Sequence, residues 1–66
     1  MIVKAIKEYL FTHGIKQTWL AEQLGIPNTT LSGIMNGRSE LKAEMFIRIC
    51  EILDEPLERF TEGRTA

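Results

Sequence analysis

The sequence predicts an all-α protein, a bundle of four helices with a short fifth. Three observations predict it. Apolar residues recur three and four positions apart through most of the chain, nothing alternates long enough to make a strand, and glycines stand where each of the first three apolar stripes stops. At 66 residues the chain is one small domain, and folding at this length buries only about 60% of the unfolded surface. Such an interior has no room for a deep substrate pocket.

Ile2, Ala5, Ile6, Tyr9 and Leu10 share one side of the first helix, with Lys4, Lys7 and Glu8 opposite, and Gly14 ends it. Between Gln17 and Leu24 a second stripe of Leu20, Ala21 and Leu24 is ended by Gly25. After Ile26 and Pro27, the stretch Asn28–Asn36 pairs Leu31 with Ile34, and Gly37 closes it. The fourth helix starts near Lys42 or Ala43 and runs to Leu53, placing Phe46, Ile49, Cys50 and Leu53 together. Pro56 suits an early helical position, where its missing N–H does no harm, and Leu57–Phe60 make the last short turn. The domain is expected over 1–60, with 61–66 a polar, frayed tail.

Composition narrows the class further. Apolar residues at 44% and charged residues at 26% are those of a folded domain, not of a disordered tail. No apolar run approaches membrane-spanning length, and the first residues lack a signal-peptide cleavage site. One cysteine excludes an internal disulfide and a cysteine-rich zinc site, so the expectation is a cytoplasmic protein without metal or cofactor. The net charge of −1 is unevenly spread: residues 1–43 carry +2 and residues 44–66 carry −3. The first part can therefore approach a polyanion while the acidic end faces away.

The informative stretch is QTWLAEQLGIPNTTLSGIMNG, Gln17 to Gly37. Two helices of about eight residues meet through a turn of three or four, the spacing of a helix-turn-helix. Ala21 falls where the first of the two presses on the second, so a larger side chain would part them. Gly25 permits the left-handed backbone of a sharp turn. Leu20, Leu24, Ile26, Leu31 and Ile34 fill the angle between the helices. All seven slots are met, which typical apolar usage would produce by chance roughly once in a few hundred.

On these residues the chain resembles the phage repressor/Cro and XRE-type helix-turn-helix domains, compact five-helix, lambda-repressor-like bundles. The likeness runs from about Ile2 to Phe60 and includes Gln17 opening the second helix, the Asn36–Gly37 pair ending the third, and IRICEIL in the fourth. It implies a sequence-specific DNA-binding transcriptional regulator, a repressor working as a homodimer on a palindromic site in double-stranded DNA. A competing expectation, favoured by near-neutral charge, is an antitoxin or partner-binding module whose main ligand is a toxin or anti-repressor protein.

In a helix-turn-helix the second helix enters the major groove and its N-terminal residues meet base edges. With Leu31 and Ile34 turned inward, Asn28, Thr29, Ser32 and Gly33 are expected outside as the base-reading set. Asn28 is the best reader, since its amide can donate and accept against adenine. Gly33 offers only backbone and DNA shape. Gln17, at a helix start whose N–H groups attract an anion, is expected on phosphate. The family pattern adds Asn36 at the end of the recognition helix, and Lys16, Arg38, Ser39 and Lys42 flank the pair with charge and donors. Lys16 and Pro27 stand where relatives place a Ser or Thr cap. Asn28 therefore either reads a base or caps its own helix.

Other residues invite chemistry but have plainer roles. Cys50 lies on an apolar stripe and His13 at a helix end, with no base–orienter pair beside either, so no enzyme is expected. Trp19 is expected against a neighbouring helix, and Leu57 and Phe60 are expected to close the core.

Overall fold

The computed structural model describes residues 2–61. The helices are α1 (Ile2–Thr12), α2 (Gln17–Leu24), α3 (Asn28–Met35), α4 (Ala43–Leu53) and α5 (Glu58–Thr61), with no strand among the described residues. The helical period predicted this, because each stripe needs a neighbour to cover it. α2 packs on α3 and α4, and α1 packs on α3 and α5. At their shared centre lie Ile6 and Leu10 of α1, Leu20, Ala21 and Leu24 of α2, Leu31 and Met35 of α3, Ile49 and Cys50 of α4, and Phe60 of α5. Every buried side chain there is apolar. The Cys50 thiol is free, and burial pushes its pKa up, with the Glu55 carboxylate adding to the effect.

The turns are set by backbone chemistry. Gly25 ends α2 at φ +74°, its N–H reaching back to the carbonyls of Ala21 and Glu22, and the Ile26 N–H also meets the Ala21 carbonyl at 3.1 Å. The orphan carbonyls of the last turn are thereby satisfied and the chain reverses sharply. Asp54 does the same for α4 at φ +57°, with the Glu55 N–H 3.0 Å from the Cys50 carbonyl. Aspartate is among the few non-glycine residues that adopt this conformation readily.

Several boundaries differ from the expectation. α5 begins at Glu58 rather than Leu57, and Pro56 precedes the helix, its carbonyl accepting the Arg59 N–H at 3.0 Å. Thr61 belongs to α5, and the remainder of the expected tail, 62–66, lies outside the described residues. Phe60 does close the core, but Leu57 is 42% exposed. Trp19 is also 42% exposed rather than sealed against a helix. Among the described residues both apolar side chains have too few neighbours to cover them.

α5 is held on α1 by an aromatic and ionic clasp. The Tyr9 phenol donates to the Glu55 carboxylate at 2.8 Å, bridging 46 residues. Phe60 meets the Tyr9 ring edge-on at 5.5 Å, and the Arg59 guanidinium lies 4.8 Å from the same ring's centre. His13 stacks on Tyr9 with ring centres 3.9 Å apart. The bond to Glu55 raises the Tyr9 pKa, with burial and the negative charge adding to it and Arg59 opposing. A raised phenol pKa means folding favours the neutral form. This contribution to stability is complete below about pH 10 and is lost as the pH climbs through the folded-state value. Tyr9→Phe should lower stability by about 1 kcal/mol at neutral pH and flatten the alkaline decline. Urea titrations of both proteins at pH 7 and above pH 10 check both effects, and equal alkaline slopes would remove Tyr9 as their origin.

Candidate nucleic-acid interface

The interface is built on two short helices whose starts are chemically open. α2 is preceded at its N-cap by Lys16 and α3 by Pro27, both in extended backbone and neither supplying a side-chain cap. Lys42 holds the same place before α4, again without a side-chain cap. Ser, Thr, Asp or Asn normally satisfies these N–H groups, and a cation sits poorly against the positive end of a helix dipole. At the starts of α2 and α4 an anion would meet both N–H groups without a side-chain cap and a lysine.

Pro27 settles the position of Asn28. The proline carbonyl accepts the N–H groups of Thr30 and Leu31 at 3.0 and 3.2 Å, so Asn28 is the first helical residue and not the cap. Its side chain is exposed and engaged across the turn: Gln17 Nε2 donates to Asn28 Oδ1 at 3.2 Å. That bond leaves the Asn28 amide with its two N–H donors and one lone pair unused. The expected phosphate residue and the expected reader therefore form one unit.

Thr29 is exposed beside Asn28. Ser32 is half-buried, and its hydroxyl accepts from Asn36 Nδ2 at 3.3 Å, joining another expected reader to an expected phosphate residue. Gly33 departs from its expected exposure, because it is buried. After Gly37 at φ +81° the chain folds back over α3, and the Gly33 carbonyl accepts the N–H groups of Arg38 and Ser39 at 2.8 and 3.1 Å. Ser39 of that turn lies nearest to where a side chain at position 33 would be.

A Cβ added at Gly33 would meet Ser39 Oγ at 3.5 Å, an ordinary contact, and the backbone there is helical. Gly33→Ala should therefore raise stability by about 0.5–1 kcal/mol through helix propensity and a less flexible unfolded chain. A thermal melt decides this, and a lowered midpoint would mean that the loop cannot yield.

Arg38, Ser39 and Lys42 are exposed. Ser39 and Lys42 border a cleft of about 240 Å³ between α3 and α4, and Thr30 lies on its α3 side. Thr30 is exposed here, although the expected base-reading set does not include it. Lys16 borders a different cleft, with Gly14, Ile15 and Trp19, at the entrance to α2. Among the described residues no group of histidine, cysteine and acidic side chains could hold a metal ion. Nor is any described helix long and apolar enough to cross a membrane.

Two short helices joined by a left-handed glycine, with one offering a polar outer edge, define a helix-turn-helix DNA-binding domain. The helix-turn-helix family model matches residues 6–60. The chain belongs to the Cro/C1-type, or XRE, helix-turn-helix family, a family of DNA-binding regulators. No curated protein and no solved structure gives a significant match.

Proposed function

We propose that this protein is a transcriptional repressor that binds a palindromic operator as a homodimer and reads the major groove with α3. The observation that carries the reading is the open edge of α3. Asn28, Thr29 and Thr30 are exposed on it, beside a helix start at Gln17 that lacks a side-chain cap. Asn28 with Thr29 and Ser32 would meet base edges, while Gln17, Lys16, Asn36, Arg38, Ser39 and Lys42 would meet phosphates. Gly33 is left with no part in base reading beyond holding the loop.

Dimerisation follows from energetics. One eight-residue helix cannot supply both tight binding and discrimination among many genomic sites, whereas two-fold symmetry doubles every contact. Ile47 at 45% exposure and Leu57 at 42% border one cleft after α4, beside Glu51, Asp54 and Glu55, and offer apolar side chains to a second copy. Repression then requires only that the dimer occupy DNA needed by the transcription machinery.

Selection of bound duplexes from a random pool tests the reading. It should return a motif with two inverted half-sites about one helical turn apart. A single unrepeated half-site would remove the homodimer, and no enrichment at low salt would remove the operator reading. The competing antitoxin reading draws on Phe11, which is 88% exposed. A stable complex with a co-purified toxin, lost in Phe11→Ser but kept in Asn28→Ala, would favour it.

A further inference from the structure

A groove of about 660 Å³ runs between α1 and the loop that follows α3, and the contacts assigned so far use only one of its walls. That wall carries Asn36, Gly37 and Ser39. The other wall is α1, through Lys4 and Lys7, and apolar Ile34 and Met35 also line the groove. Three residues apart on a helix, Lys4 and Lys7 share a face, and both are exposed. Among the described residues neither enters an ion pair. Glu8 is the single carboxylate on this groove, so its charged lining has a net positive sign. Two like charges a turn apart repel slightly, and an anion in front of them turns that cost into an attraction.

We propose that Lys4 and Lys7 hold DNA backbone phosphates at the end of the recognition helix farthest from Gln17. This makes α1 part of the DNA interface and rests on the DNA-binding reading above. Asn36 and Ser39 across the groove provide neutral donors, and the two ammonium groups provide charge. The apolar lining supports the four-carbon stems while their heads stay in solvent. Lysine suits this role, because an ammonium on a flexible stem meets a phosphate without a fixed geometry. These contacts carry no sequence information and act only on affinity and its salt dependence. Glu8 opposes them, since its carboxylate faces the same groove.

The experiment uses the full chain with two duplex probes, a selected operator and a random duplex of equal length, titrated from 50 to 200 mM salt. Lys4→Gln and Lys7→Gln should each lower the slope of log affinity against log salt by about 1 on both probes. The ratio of operator to random affinity should stay at its wild-type value. Glu8→Gln should strengthen binding to both probes. Circular dichroism melts establish that each variant is folded, as expected for exposed side chains. Wild-type slopes in both lysine variants, with wild-type binding intact, overturn the clamp alone. A changed operator-to-random ratio overturns it as well, because the lysines would then be reading bases. A wild-type protein that retains neither duplex overturns the DNA-binding reading and the clamp together.

Discussion

Leu31→Ala should remove a large share of the domain's folding stability at 25 °C. Leu31 is 0% exposed and sits in the core that all five helices share. Truncating a fully buried leucine to alanine costs about 2–5 kcal/mol, combining lost transfer energy with the cavity left behind. A domain of this size has about 3–10 kcal/mol in total at typical stability per residue. Among the described residues no buried side chain is polar, so nothing there holds a water in the new space and the cavity stays empty. Urea unfolding followed by circular dichroism checks the cost. A midpoint close to wild type would mean that α1 and α2, which pack on α3, close onto the gap. DNA affinity should fall in parallel with the folded fraction, which separates this variant from any that acts on the interface alone.

The parts of the structure legible in the sequence are those set by neighbours in the chain. α2 falls where its stripe and Gly25 place it, and α3 starts where Pro27 permits. Leu31 turns inward because a helix stripe has one apolar side, and the helix-turn-helix family model spans the whole stretch from Gln17 to Gly37. The features that escaped depend on distant chain. Gly33 is covered by a loop whose path after Gly37 no periodicity reports. Thr30 is open because that same loop and α4 leave a cleft beside it. Asp54 ends α4 in a conformation usually given to glycine, so its type gave little signal. Leu57 has the hydropathy of a core residue, but the described residues offer it too little to pack on. The bond between Gln17 and Asn28 spans eleven residues across the turn, and sequence spacing shows only that both lie at helix starts.

That bond leads to the second large effect. Asn28→Ala should cut the preference for operator over random duplex by about 1–3 kcal/mol, or roughly 5- to 150-fold, since a side chain that donates and accepts against one base is lost. Non-specific affinity should change little, because the exposed side chain carries no charge. Gln17→Ala should weaken both kinds of duplex if Gln17 holds a phosphate as proposed. It should also reduce preference, because Gln17 Nε2 fixes which way the Asn28 amide faces. Without that donor the amide can rotate and present its nitrogen and oxygen in either sense. The two substitutions should therefore be non-additive: once Asn28 is gone, removing Gln17 should cost affinity but no further preference. Binding measured on both probes for the four members of the cycle gives the coupling, expected at about 0.5–3 kcal/mol for residues in direct contact. Strict additivity would mean that the 3.2 Å bond has no hold on the reader, and Gln17 would then be a phosphate contact alone. With coupling, by contrast, specificity belongs to the pair, and a Gln17 variant bound to DNA would choose its sites less well than its affinity predicts.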